Sequence, residues 1–94
     1  MREIFKDIPG YEGIYQVSNL GNVKSFKYNK EKIFKLSKNG SGYYYVGLSG
    51  MKIPIGIHKL VAMVFVPNPN NYKVVNHKNN IKTDNRSENL EWCT

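Results

Sequence analysis

Ile14-Tyr15-Gln16-Val17-Ser18, then Asn19-Leu20-Gly21-Asn22, then Val23-Lys24-Ser25-Phe26 gives the first clear structural unit. The first run alternates apolar and polar side chains, as a half-buried strand does. Asn and Gly in the middle tolerate the positive φ that a reversal needs, and the third run returns as a strand. Upstream, Ile8-Pro9-Gly10-Tyr11-Glu12-Gly13 reads as a turn. Downstream, Ile33-Phe34-Lys35-Leu36 is another short strand, and Asn39-Gly40-Ser41-Gly42 is a turn. Tyr43-Tyr44-Tyr45-Val46-Gly47-Leu48 is strongly β-prone. Ser49-Gly50 reads as a tight hairpin turn into Met51-Lys52-Ile53-Pro54-Ile55, and Pro54, having no N–H, confines that strand to an edge.

The pattern changes at His58. Leu60, Val61, Val64 and Phe65 form the apolar face of one short helix, which Pro67-Asn68-Pro69-Asn70-Asn71 stops. Val74-Val75-Asn76-His77 is a short strand, Lys78 to Arg86 a polar loop, and Asn89 to Thr94 β-prone again. The expected class is α+β, built from short antiparallel strands with one short helix. A division into 1–57 and 58–94 follows from this change of character.

Charge narrows the function. The 94 residues carry 14 Lys plus Arg against 7 acids, a formal charge of +7. From Gly13 to Thr83 there are eleven lysines and a single acid, Glu31. A lysine-rich stretch so poor in acids points to a polyanion, nucleic acid before a membrane surface, because no basic amphipathic helix is present. A basic protein without a specific partner is the bland alternative. No apolar run reaches the roughly 18 to 20 residues needed to cross a bilayer, and the N-terminal residues lack the apolar core of a secretory signal. Cys93 is the only cysteine, which excludes an internal disulfide and a multi-thiolate zinc site, and points to a reducing, intracellular setting.

Few residues can carry chemistry. His77, at a strand-to-loop edge, can serve as a general base, since an ordinary imidazole titrates at about 6.5. His58, just ahead of the apolar helix face, reads as a helix-start or core residue. Tyr43, Tyr44 and Tyr45 could stack on bases but fit a half-buried strand better. No nucleophile elbow, phosphate loop or dinucleotide fingerprint is present.

Taken together, Ile8 to Ser25 resembles the modular DNA-binding segment at the start of phage and intron-encoded HNH homing endonucleases. His58-Lys59-Leu60-Val61-Ala62, Phe65 to Pro69, Val75-Asn76-His77-Lys78 and Asn89-Leu90-Glu91-Trp92-Cys93-Thr94 resemble the HNH domain that follows it. That resemblance implies a ββα-metal site, with Mg²⁺ or Mn²⁺ as cofactor and DNA as partner. By resemblance, His77 is the general base, and Asn89 pins the catalytic loop and orients that histidine. Asn76 stands where the family usually has a metal-binding aspartate, and the family's last helix, with the closing ligand, would lie beyond Thr94. Loss of a carboxylate weakens a hard-cation site, so the expectation is DNA binding with weak or absent cleavage. A longer parent chain or a homodimer would complete the site. Gln16, Asn19 and Asn22 could read base edges from a β-ribbon, with Lys24, Lys27, Lys30, Lys32, Lys35 and Lys38 on phosphates, though Asn19 and Asn22 fit a role in the turn better. The alternative is a catalytically inactive phage-encoded binding protein: a DNA-binding accessory factor, or an inhibitor of a host defence protein such as a CRISPR effector. Either form would act in the cytoplasm of a bacterial host cell.

Overall fold

The computed structural model describes residues 2–94 and is α+β, with antiparallel strands and one α-helix. Four strands, β1 (Phe5–Asp7), β2 (Tyr15–Ser18), β3 (Val23–Ser25) and β4 (Lys32–Ile33), form a sheet in sequence order. The β2–β3 hairpin closes where the sequence placed it. Ser18 N–H donates to Asn22 O at 2.8 Å, the Ser18 hydroxyl accepts from the Leu20 and Asn22 N–H groups, and Gly21 supplies φ +93°. That angle is in the region where only glycine is unstrained.

A second sheet contains β5 (Ser37–Lys38), β6 (Tyr44–Val46) and β7 (Ile55–Gly56). Here the sequence reading needs two corrections. The single strand expected over 33–36 is split, with Ile33 ending one sheet and Ser37 opening the other. The tight turn expected at Ser49-Gly50 is present, with Met51 N–H donating to Leu48 O at 3.0 Å and Gly50 at φ +83°, but the strand expected over 51–55 does not follow it: β6 pairs with β7 only through Tyr45↔Gly56 and Val46↔Ile55. Tyr11 Oη donates to Ser49 O (3.0 Å) and Tyr15 Oη to Ser49 Oγ (3.1 Å), which draws residues 47–54 onto the first sheet. Tertiary contacts therefore override the local β propensity of Met51 to Ile53.

Helix α1 (Ile57–Phe65) starts directly from β7 and buries Ile57, Leu60, Val61 and Ala62. It ends where Val66 turns extended ahead of Pro67, which cannot continue a helix. The chain then makes one hairpin, β8 (Val74–His77) with β9 (Leu90–Cys93), in the register Val74↔Cys93 to His77↔Leu90. Trp92 Nε1–H donates to Val66 O at 3.1 Å and fixes this hairpin to the helix end.

One core runs through all of this. Ile8, just past β1, and Tyr15, Val17 and Val23 from the first sheet pack in the same buried cluster as Leu48, Leu60, Val61 and Leu90. Burying a Leu or Val side chain is worth about 1.5–3 kcal/mol, so the N-terminal sheet and the C-terminal hairpin stabilise each other. Polar contacts reinforce the seam: Ser87 N–H donates to Asn19 O at 2.8 Å, and Gly21 lies against Asn85, where an added Cβ would come within 3.0 Å of the Asn85 Cβ.

Candidate active site and nucleic-acid interface

The hairpin loop between β8 and β9 is long and polar, and it is held by asparagines. Asn80 takes φ +63° and its N–H donates to His77 O at 3.0 Å, closing the turn after the strand. Asn tolerates this left-handed conformation better than most side chains. The buried Asn89 staples the loop from beneath: its Nδ2 donates to Asn79 Oδ1 and to Asp84 O, both at 2.9 Å, while its Oδ1 accepts from Asn79 N–H at 3.2 Å. Asp84 in turn accepts from Asn79 Nδ2 at 2.8 Å and pairs with Arg86 at 2.7 Å. The Arg86 guanidinium holds the Asp84 carboxyl well below the usual carboxylate range.

His77 sits at the end of β8 and is only 6% exposed. Its Nε2 lies 2.8 Å from Oδ1 of Asn85, itself 4% exposed. A carboxamide oxygen can only accept, so this contact calls for the proton on Nε2, and in the neutral ring Nδ1 then keeps the lone pair. That tautomer suits a general base. Asn89 thus pins the loop, but the group bonded to the imidazole is Asn85. Sequence reasoning missed it: Asn85 is one of twelve asparagines, in a loop without periodicity. Its close approach to Gly21 exists only in the fold.

His58, read from sequence as a helix-start or core residue, lies beside His77. Their ring centroids are 5.2 Å apart, and Tyr43 stands 5.2 Å from His58 and 5.9 Å from His77. Burial, then the neighbouring His77 and Lys59, push His58 down to about 4. Its imidazole is therefore neutral near neutral pH.

Asn76 faces away from His77, because successive strand residues alternate sides. Its Nδ2 is 3.4 Å from Oε1 of Glu91, the residue opposite it on β9. HNH nucleases generally use divalent metal ions. Asn76 and Glu91 together offer one carboxamide and one carboxylate. Among the described residues, no three His, Cys, Asp or Glu side chains gather as a metal-binding group. Mg²⁺ needs six oxygens and favours anionic ones, so these residues do not by themselves fit a tightly held cation.

The expected DNA contacts are placed unequally. Asn19 is buried: its Oδ1 accepts from Ile4 N–H at 2.8 Å and its Nδ2 donates to Arg2 O at 3.1 Å. Its amide is committed to holding the N-terminal strand, leaving nothing for a base edge. Asn22 Nδ2 donates to Glu3 Oε2 at 2.6 Å. Gln16 and Lys24 share one cross-strand row with Asp7 and Ile33. Gln16 Nε2 points at Asp7 Oδ1 (3.4 Å), and Lys24 Nζ pairs with Glu31 at 2.9 Å and lies 4.1 Å from the Phe5 ring centroid. That face pairs its cation with carboxylates and is poorly suited to a polyanion. Lys27 donates to Ser49 Oγ. Lys30, Lys32, Lys35 and Lys38 are exposed, and among the described residues none of the four is in an ion pair. Unpaired positive charge therefore lies along residues 30–38 rather than on the β2–β3 ribbon, and, among the described residues, also at the exposed Lys52, Lys59, Lys73 and Lys78.

Comparison with known proteins agrees with this architecture. The NUMOD4 motif model matches residues 3–49, and an HNH endonuclease model matches residues 56–94. The chain is 42% identical over 92 residues to DNA endonuclease I-HmuI of Bacillus phage SP01, covering 96% of this chain and 52% of that one. Two uncharacterized HNH endonucleases of Acanthamoeba polyphaga mimivirus are 52% identical over 99 residues and 41% identical over 80. Those matches cover 98% and 83% of this chain, but 24% and 23% of the relatives. A solved structure described as DNA binding and cleavage by the HNH homing endonuclease I-HmuI superposes with a TM-score of 0.79 at 39% identity, over 97% of this chain and 52% of that chain. The chain thus spans about half, or about a quarter, of the length of these relatives. With a motif model over its first half, an HNH model over its second and the I-HmuI fold throughout, the chain belongs to the HNH homing endonuclease family.

Proposed function

We propose that this chain binds duplex DNA and carries the general-base half of an HNH phosphodiester-cleaving site, with turnover slowed by a depleted cation site. The observation that carries the reading is the buried His77–Asn85 pair. It leaves one imidazole nitrogen unprotonated on a loop that Asn89 and Asp84 hold rigid. A base so placed takes a proton from water as the water oxygen bonds to phosphorus and the bond to the leaving ester oxygen breaks. General-base action contributes about 10²- to 10⁴-fold. The remaining acceleration needs positive charge on the phosphate oxygens. Asn76 supplies no anionic ligand for a cation, which supports slow cleavage with retained DNA affinity. Lys30, Lys32, Lys35 and Lys38 carry the phosphate contacts.

Two assays test this. Fluorescence anisotropy with a labelled duplex is expected to show binding whose log K falls by about 3 to 4 per decade of salt, for roughly four phosphate contacts. Supercoiled plasmid with Mn²⁺ is expected to be nicked slowly, and not at all by His77→Ala. A flat salt response removes the lysine row from the reading. Fast Mg²⁺-supported breakage by the unaltered chain refutes the depleted cation site.

A further inference from the structure

His58 is the polar group that this reading leaves unused. Its Nδ1 is enclosed by protein and has no hydrogen-bond partner. A proton there would be an unpaired buried donor, so the proton belongs on Nε2, which is not enclosed. The ring packs beside His77, 5.2 Å away by centroids, and borders a cleft of about 410 Å³ lined by Lys52 and Lys59 and by no acid.

The neighbouring glycine is explained by this ring. Gly56 has φ −67° and ψ 137°, a conformation open to any residue, so backbone freedom does not require glycine there. A Cβ at Gly56 would lie 2.6 Å from Cε1 and 2.9 Å from Nδ1 of His58. The missing side chain is what lets the imidazole fold back against β7, with Nδ1 inward and Nε2 outward.

Building on the proposed function, we propose that His58 is a second catalytic residue, a neutral imidazole that donates from Nε2 to a nonbridging oxygen of the phosphodiester beside His77. Two rings with centroids 5.2 Å apart can bracket one phosphate group, His77 on the side of the attacking water and His58 on an oxygen that gains charge. Because this donor is neutral, it takes no proton from the water that His77 activates. Lys52 and Lys59, which line the cleft that His58 borders, add positive potential near its ring.

The test uses the full 94-residue chain in EDTA, so that cutting does not intervene. Long-range ¹H–¹⁵N spectra of the histidine rings are recorded with and without a short duplex. The free protein is expected to show His58 protonated at Nε2, and the duplex is expected to shift that nitrogen. In parallel, His58→Phe keeps a ring against Tyr43 and His77 but removes the donor, while His58→Gln restores an N–H. The Phe variant is expected to melt within a few degrees of the unaltered chain and to bind duplex about three- to tenfold more weakly, and the Gln variant is expected to regain most of that loss. Bound duplex with an unmoved His58 nitrogen, or full affinity in a folded His58→Phe, overturns the proposal and leaves the general-base reading intact. Failure of the unaltered chain to bind duplex at any salt overturns both.

Discussion

Asn85→Ala is the sharpest perturbation of this site. The side chain makes one decisive contact, the 2.8 Å bond to His77 Nε2, with both partners buried. Truncation leaves an imidazole N–H in the interior without an acceptor. An unsatisfied buried group costs about 1–3 kcal/mol. In a domain of this size each kcal/mol shifts Tm by about 4–8 °C, so a midrange cost lowers it by roughly 10 °C. Stability alone would not establish a role in catalysis. The second readout is the ring itself: without Asn85, His77 is free to exchange tautomers, and its ¹⁵N shifts should move from an Nε2-protonated pattern towards an average. Asn85→Asp keeps an acceptor at the same place and should preserve the Nε2–H form. Gly21→Ala approaches from the opposite side, because its Cβ would press on Asn85 at 3.0 Å, at a residue already at φ +93°. It should disturb the same His77 signals without touching the loop sequence. A thermal melt and a histidine ¹⁵N spectrum on each variant decide the matter. An Asn85→Ala protein with an unchanged His77 tautomer would refute the view that this amide sets the base.

Asn76→Asp places a carboxylate about 3.4 Å from Glu91. In water-like surroundings that repulsion is worth about 1 kcal/mol, so Tm should fall by several degrees in EDTA and recover with Mn²⁺, with faster plasmid nicking alongside. Replacing Lys30, Lys32, Lys35 and Lys38 with Ala should flatten the anisotropy salt slope by about 3 to 4 and leave the melt almost unchanged, since none is paired. Stability should also drop as pH falls from 6.5 towards 4. His58 stays neutral in the fold down to about 4, while the unfolded chain binds a proton near 6.5, so acid favours the unfolded state in that window. The His58→Phe protein should lack that part of the pH dependence in chemical denaturation. Gly56→Ala should displace the His58 ring and reproduce the weaker duplex binding of His58→Phe.

What could be read from the chain depended on how local its cause was. The β2–β3 reversal was readable because Asn19, Gly21 and Asn22 carry their turn preference themselves. Helix α1 was readable because its buried residues recur at helical spacing. The turn at Ser49-Gly50 is legible in its residues, but the path of 47–54 away from strand pairing is not, because two tyrosine hydroxyls reach Ser49 from more than thirty positions away. The site divides in the same way. His77 at a strand end reads by itself as a surface or capping histidine, and only the resemblance makes it a base. The loop staple at Asn89 was given by resemblance alone, and its bonds to Asn79 and Asp84 can be seen only in the folded loop. Asn85 does not stand out in the sequence and His58 reads there only as a helix-start or core residue, since each gains its place from a glycine packed against it in the folded chain: Gly21 across the seam between the two family segments, and Gly56 where β7 meets α1.

Those two glycines also bear on how the halves cooperate. If the N-terminal segment only supplied DNA affinity, its turn would have no reason to press against the residue that holds the base. It does press there: Gly21 contacts Asn85, and Asn19 O accepts from Ser87 N–H, two residues further along the same loop. The turn that closes the β2–β3 hairpin is thus also the floor of the loop carrying Asn85. A shift of that turn would therefore press on Asn85, the side chain bonded to the His77 imidazole. Substitutions at Gly21 should therefore alter the chemistry at His77 more than they alter duplex affinity, although Gly21 lies in the segment matched by the NUMOD4 motif.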